Sequence, residues 1–573
     1  MYYTQRTQPP FLALMVADVT RALALRESDG GGGGGGATSS EAVDFAAAAL
    51  PVVTEELAFW DAQRSLPATT GAAATEATEA TAAAATAVTA AKNATTTACG
   101  PLGAWLSRFF SNASAPRAES YAEDAATASG DASRPAAEVF ADLTAGAETG
   151  WDFSTRWIEP STSASSPASA SASSLSSSSL SSFLSSFLSS SSSSSSSSPL
   201  SSTSSTSWPL SSIRARSVVP VDLNCVLVRA HCAAAWVTEF LHRAVAALAE
   251  DSTASGLHAA AAAPAAHAAA EAVADWLRFD ERGLLLPAAG KAAGEAAGKA
   301  VGGQVEAEAE VEVRLGSGLA EGFAVAARAR RDAVMGLMWL PVEGRWADLL
   351  LSSSSSSSSA AACEVVGKGH PADVTSLAGW AAPLWAGLGR GLPLPDQALA
   401  VASLLSSGLL QPGGAFATVN GLDPGGSGQQ WDAPNAWAPL QAMLVHGLAD
   451  LVDTAVGPGT PATPKEVAGA AAVSGPALAA ELAARWLEAN RVGFATTGVM
   501  FEKYDGRVPG QYGGGGEYEP QAGFGWTNSV ALELIAALHA RNDGSSGGGS
   551  ASAERGDVRE VRRALARGAL LPH

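Results

Sequence analysis

The stretch Gln429-Gln-Trp-Asp-Ala-Pro-Asn-Ala-Trp-Ala-Pro-Leu-Gln441 carries the two habits of this chain in thirteen residues. Its first half is a polar, aromatic segment with turn residues. Its second half opens a helix, because Pro439 suits a first helical turn and the residues that follow are apolar with helical period. Leu440, Met443, Leu444, Leu448, Leu451 and Val452 fall on that period, so the spacing predicts a helix over residues 439–456. Read outward, the same grammar recurs. Ser474 is placed to cap a helix over 476–490, with Pro476 in its first turn and Leu478, Leu482, Trp486 and Leu487 on one face. Leu532, Ile535, Ala536 and His539 predict another over 530–540, ending before Asp543-Gly544. Residues 11–25 and 50–60 are further helix candidates. Alternating strand patterns are few. The chain is expected to be mainly α-helical, with any site in the loops between helices.

Between these segments the composition is strongly biased. The insertions lie at about residues 66–97, 161–212, 252–312, 352–359 and 544–552, besides a run of glycines at 30–36. Such tracts lack the apolar surface that would offset the entropy of ordering, so they are expected to be disordered loops within an older fold. About 350 to 400 residues of ordinary complexity remain, enough for one large core. A single catalytic domain over 1–573 is therefore expected, interrupted by insertions.

The formal net charge is −20 over 573 residues. That balance argues against nucleic acid or anionic lipid as partner and fits a neutral ligand. Cys99, Cys225, Cys232 and Cys363 have no C-x-x-C spacing, and the eight histidines form no ligand pair on one helical face. No metal site or disulfide framework is expected. No segment has the length and apolarity of a membrane span. The opening Met1-Tyr-Tyr-Thr-Gln-Arg-Thr-Gln-Pro-Pro10 does not read as a signal peptide, since Arg6 and two prolines precede any apolar run.

Four blocks mix carboxylates, aromatics and turn residues. They are Arg117-Ala-Glu-Ser-Tyr-Ala-Glu-Asp124, Gly150-Trp-Asp-Phe-Ser-Thr-Arg-Trp157, the block at 429–441, and Met500-Phe-Glu-Lys-Tyr-Asp505. The last continues to Gly513-Gly-Gly-Gly-Glu-Tyr518 and Gly523-Phe-Gly-Trp-Thr-Asn528. Taken singly, each has a plain structural explanation. A Trp-Asp pair is commonly core plus cap, and Glu502-Lys-Tyr-Asp505 could be a solvated turn. Arg117 and Glu119 could be a surface pair. The glycine run lacks the following Lys-Ser/Thr of a phosphate loop. Together they form a sugar-binding vocabulary: flat rings for pyranose C–H faces, with carboxylates, amides and guanidinium for hydroxyl groups. A glycosidase also needs two carboxyl groups of opposite protonation. Asp152 between Trp151 and Phe153, and Glu502 after Phe501, are the candidates.

At these residues the chain resembles the trehalases of glycoside hydrolase family 37. Gln430 to Pro439 is similar to the family's second signature, and 513–517 with 523–528 to its glycine-rich block. Arg117 to Asp124, Gly150 to Trp157, Pro220-Val-Asp-Leu-Asn224 and the Tyr2 to Pro10 segment resemble further blocks, in the family's order. The resemblance implies an (α/α)6 barrel, no cofactor, trehalose as substrate, and hydrolysis to two glucose molecules with inversion at one anomeric carbon. It implies Asp152 as general acid and Glu502 as general base, with carboxyls about 6.5–9.5 Å apart to admit a water. Arg6, Gln8, Arg117, Glu119, Gly150 and Glu517 match sugar-contacting positions. Trp431, Asp432, Asn435 and Trp437 are expected to shape the pocket.

Ala118 stands where the family has proline. The family's first signature, a Pro-Gly-Gly-Arg-Phe block, is expected upstream of Tyr2, so the barrel is expected to be N-terminally incomplete and the pocket to lack an arginine and aromatics. A catalytically impaired, trehalase-like sugar-binding protein is the alternative reading. Retention of both Asp152 and Glu502 favours the enzyme. A purely structural helical scaffold leaves the Trp-Asp blocks unexplained.

Overall fold

The computed structural model describes residues 7–29, 41–66, 97–98, 103–160, 208–253, 304–352, 364–369, 374–421, 427–452, 474–515 and 521–544. Within them the chain is mainly helical. The helices, in order, are α1 (Leu12–Asp29), α2 (Glu41–Gln63), α3 (Tyr121–Ser129), α4 (Ala136–Glu148), α5 (Val221–Thr253) and α6 (Gln304–Met338). After them come α7 (Ala378–Trp385), α8 (Leu394–Ser406), α9 (Ala438–Ala449), α10 (Gly475–Thr497) and α11 (Gly525–Gly544). The strands are short. A four-stranded sheet joins Thr97–Ala98, Glu364–Lys368, Leu349–Leu351 and Val218–Val219.

Helix packing follows the chain. α1 packs on α2, both pack on α5, and α5 pairs with α6. The α5–α6 pair is antiparallel, because Asn224 meets Arg330 while His231 faces Phe323. α7 joins α5 to α9, and α9, α10 and α11 pack together. This all-α order of helix pairs is the one expected of an (α/α)6 barrel. Trp60, Trp236, Trp380 and Trp486 are among its fully buried side chains.

Buried polar groups tie the helices at defined points. Asp61 of α2 accepts from Arg330 Nη2 of α6 at 2.7 Å and lies 2.9 Å from His231 Nε2 of α5. Arg330 Nη1 also donates to Ser107 and Asn224. Burial opposes the Asp61 charge, but His231 and Arg330 outweigh it and hold the carboxyl below its ordinary range. The 208–217 segment returns beside Ile158, with Arg214 N–H donating to Trp157 O at 2.7 Å and Glu159 N–H to Ser212 O at 3.2 Å.

Three sequence expectations need adjusting. α10 has the expected cap, Ser474 Oγ accepting from Ala477 N–H, but runs on to Thr497, where Gly498 takes a left-handed φ of 76°. α9 ends at Ala449, and Val452 is 52% exposed rather than on the buried stripe. In α11 the buried face is Thr527, Val530, Ala531 and Leu534, whereas Leu532 and Ile535 are 50% and 45% exposed. Helical period alone could not choose between two faces about 100° apart per residue step. The side chain of His539 lies outside the described residues. Most of the low-complexity insertions lie there too, although α6 already begins at Gln304.

Candidate active site

Asp152 sits on a loop built in two steps. α4 ends at Glu148, and Gly150 then takes a φ of 74°, which favours glycine and turns the chain back. Thr149 Oγ1 accepts from Trp151 N–H at 2.8 Å. Beyond Phe153, Ser154 Oγ caps a 3-10 turn over Thr155–Trp157. Asp432, 278 residues further along, secures this turn. Its carboxylate accepts from Ser154 Oγ at 2.6 Å and Thr155 N–H at 3.0 Å, and also from Ser427 Oγ. Burial pushes the Asp432 carboxyl above its usual range, and these hydrogen bonds oppose that shift. Asp152 itself is half-buried.

Three tryptophans of these blocks form a stack. Trp151 and Trp431 lie with ring centroids 4.9 Å apart and planes at 15°. Trp431 and Trp437 are 4.0 Å apart at 4°. Trp526 meets Trp437 edge-on at 5.6 Å. At the other end the guanidinium of Arg156 lies 4.7 Å from the Trp151 ring centroid and 4.4 Å from that of Trp157. Arg156 is bidentate to both Asp222 and Asp348 at 2.7–2.9 Å. It is thus neutralised where it lies, and acts as a pedestal for the stack.

Glu502 precedes the strand Lys503–Asp505, which pairs antiparallel with Asn435–Trp437 so that Trp437 lies opposite Lys503. The Glu502 backbone is pinned at both ends: its N–H donates to Gln521 O at 3.0 Å and its carbonyl accepts from Trp526 Nε1 at 2.9 Å. Lys503 is fully buried. Its ammonium donates to Gln430 Oε1 at 3.1 Å and Gly515 O at 2.8 Å, and lies 5.0 Å from the Trp437 ring centroid. Burial lowers its pKa, while Glu502 and then Asp152 act in the opposite direction. The charges of Glu502 and Asp152 thus favour the protonated form of this ammonium.

Asn435 fastens the glycine-rich loop. Its Nδ2 donates to Gly514 O at 2.8 Å and to Gln430 O at 2.9 Å. Its Oδ1 is buried with no hydrogen-bond partner among the described residues, and a Cβ at Gly513 would collide with it. Glycine is required there by close approach, not by backbone conformation.

Of the expected site residues, Asp152, Glu502, Gly150, Trp431, Asp432, Asn435 and Trp437 thus surround one region. Arg117 lies beside it, with its guanidinium 5.3 Å from the Phe153 ring centroid and paired with Asp124 at 2.7 Å. Glu119 is half-buried in the adjoining turn Ala118–Ser120. Gln8 is exposed, but its neighbours reach the loop: Thr7 N–H donates to Glu148 Oε1 at 3.1 Å, and Pro9 lies next to Gly150. Arg6 and Glu517 lie outside the described residues. Sequence reasoning missed Gln430, Lys503, Arg156 and Trp526 as site-building residues. All four lie inside the quoted blocks, so the signal was adjacency to the candidate acids and rings. Among the described residues no group of three or more His, Cys, Asp or Glu is placed to hold a metal ion.

Asp152 and Glu502 lie on segments tied together through Gln430 and Lys503, beside stacked rings, and are carboxyl groups of the kind that can move protons at a sugar. The family model described as Trehalase matches residues 1–209 and 303–539 of this chain. The chain belongs to the trehalase family. This trehalase-family chain is 26% identical over 534 residues to the periplasmic trehalase of Pseudomonas aeruginosa, covering 93% of this chain and 60% of that protein. It is 44% identical over 128 residues to a trehalase of Tenebrio molitor, covering 21% of this chain and 20% of that one. Among solved structures, neutral trehalase Nth1 from Saccharomyces cerevisiae is similar with a TM-score of 0.46 and 16% identity, covering 100% of this chain and 66% of that one. The chain spans about 60% of the length of the bacterial periplasmic relative.

Proposed function

We propose that this chain is an inverting glycosidase that hydrolyses α,α-trehalose to two glucose molecules. What supports the reading most directly is that the chain belongs to the trehalase family and that the segments bearing Asp152 and Glu502 are hydrogen-bonded into one site. In the reaction, Asp152 gives its proton to the glycosidic oxygen as the bond to one anomeric carbon breaks. Glu502 takes a proton from a water that attacks that carbon from the opposite face. The attacked glucose leaves as the β-anomer and the other as the α-anomer. The tryptophan stack and the carboxylates and amides around it suit a neutral sugar, and neither step draws on a metal or an organic cofactor. Arg6, Gln8, Arg117, Glu119, Gly150 and Glu517 are proposed to hold the sugars. Trp431, Asp432, Asn435 and Trp437 are proposed to support the pocket.

The test is time-resolved proton NMR of trehalose with the protein. Equal initial amounts of α- and β-glucose are expected, before mutarotation blurs them. Asp152→Asn and Glu502→Gln should each lower kcat by about 10²- to 10⁴-fold. Two α-anomers, or full activity in either variant, would overturn the mechanism. Calorimetric binding of trehalose without turnover by the unaltered protein would favour a sugar-binding relative instead.

A further inference from the structure

Gln430 and Lys503 link the segments that carry the two candidate acids, and neither takes a step in the reaction proposed above. Gln430 uses both polar atoms of its side chain and its backbone carbonyl. Its Nε2 donates to the Asp152 carbonyl, and its Oε1 accepts from Lys503 Nζ at 3.1 Å. Its own carbonyl accepts from Asn435 Nδ2 at 2.9 Å and Trp437 Nε1 at 3.0 Å. One residue on, Trp431 N–H donates to Phe153 O at 3.0 Å. The loop carrying Asp152 is thus bonded to the 430 segment on both sides of the Asp152–Phe153 link. Through Lys503 the same segment reaches the residue next to Glu502.

Lys503 is fully buried and donates hydrogen bonds to a side-chain amide and a backbone carbonyl. Such neutral partners only partly offset the cost of removing an ammonium from water. The negative charges acting on it are Glu502 and Asp152. Of its strand neighbours, Asp505 is engaged by Arg507 at 2.7 Å, and the Tyr504 hydroxyl accepts from Phe501 N–H. The aromatic face opposite is Trp437.

We propose that Gln430 and Lys503 form a strut that fixes the spacing of Asp152 and Glu502, with Lys503 the shared positive charge between them. Both are positioning residues: they act through the two carboxylates rather than on the sugar. This rests on the proposed assignment of those carboxylates. The strut makes the active geometry a property of the folded chain before substrate enters, which is the preorganisation that acid–base catalysis requires.

Two measurements test it. The first does not depend on turnover. In protein labelled with 13C at lysine Cε, with the Lys503 resonance assigned through Lys503→Met, its titration should move to lower pH in Glu502→Gln and move less in Asp152→Asn. An unchanged titration in both variants overturns the strut. The second is kinetic. Lys503→Met and Gln430→Leu should lower kcat at least tenfold with KM changed less than threefold. The acid limb of the kcat/KM profile should shift to higher pH in Lys503→Met, and Lys503→Arg should restore the limb. A loss confined to melting temperature, with kcat and the limb unmoved, marks a purely structural pair and also overturns it. If the unaltered protein does not hydrolyse trehalose yet the lysine titration responds, the substrate reading fails and the strut stands.

Discussion

Asp432 was recognisable in the sequence as part of a Trp-Asp block, but not for what it does. Its carboxylate does not face open space. It is 3% exposed and spent on Ser154, Thr155 and Ser427, which shape the loop bearing Asp152. Removing it leaves the buried Thr155 N–H without its acceptor and Ser154 Oγ with only its longer bond to Thr418 Oγ1, each costing about 1–3 kcal/mol. Asp432→Ala is therefore expected to lower stability by about 3 kcal/mol, read by urea unfolding, and to reduce kcat at least tenfold through loss of loop geometry. Unchanged kcat in the folded variant would show that the loop holds its shape without this carboxylate. At this scale the candidate acids were legible because each stands in an aromatic block. Lys503 was not, since its burial depends on strand pairing with a segment far away in sequence.

At the scale of elements, glycine marks where helices touch. In α9, a Cβ at Gly447 would lie 2.5 Å from the Leu384 Cβ and 2.5 Å from the Trp385 backbone nitrogen of α7. An exposed helical glycine would gain about 1 kcal/mol on replacement by alanine. Here backbone would have to move, and overpacking of this kind costs about 1–3 kcal/mol. Gly447→Ala is expected to lower the melting temperature rather than raise it, and calorimetry gives the sign. The helices themselves were readable from period and caps, as Ser474 and Pro476 illustrate. The buried face of α11 was not, because Val530, Ala531 and Leu534 compete with Leu532 and Ile535 for the same pattern. Only contact with α9 and α10 selects between them.

At the scale of the molecule, stability should depend on pH through groups remote from the site. Glu56 of α2 is half-buried, one carboxyl oxygen has no hydrogen-bond partner among the described residues, and burial pushes its pKa up to about 7. A carboxyl raised from 4.5 in this way favours the folded state below that value and loses the advantage as pH rises towards about 7. Asp61 has the opposite sign: its depressed pKa stabilises the fold above the ordinary carboxylate range and is lost on acidification. Between pH 5 and 8 the Glu56 effect should add to the loss from other carboxyls that burial raises, such as Asp332, Glu148 and Asp432. With allowance for solvent screening it is on the order of 1 kcal/mol. Glu56→Gln should lessen the alkaline loss, so its melting temperature should fall less across that range than that of the unaltered protein. Parallel curves for the two proteins would refute the assignment.

The sequence by itself determined the helical class, the Ser474 cap, and the family through its motifs. All of these are written in residues close together along the chain, where helical period and turn chemistry act. Only the tertiary structure decided which polar atoms meet: Gln430 with Asp152 across 278 residues, Lys503 with Gln430 and the Gly515 carbonyl, and Asp432 with the Ser154 turn. Those meetings depend on which helix faces are buried and where desolvated charges find partners. Burial and hydrogen-bond satisfaction are properties of the packed whole, and no local pattern encodes them.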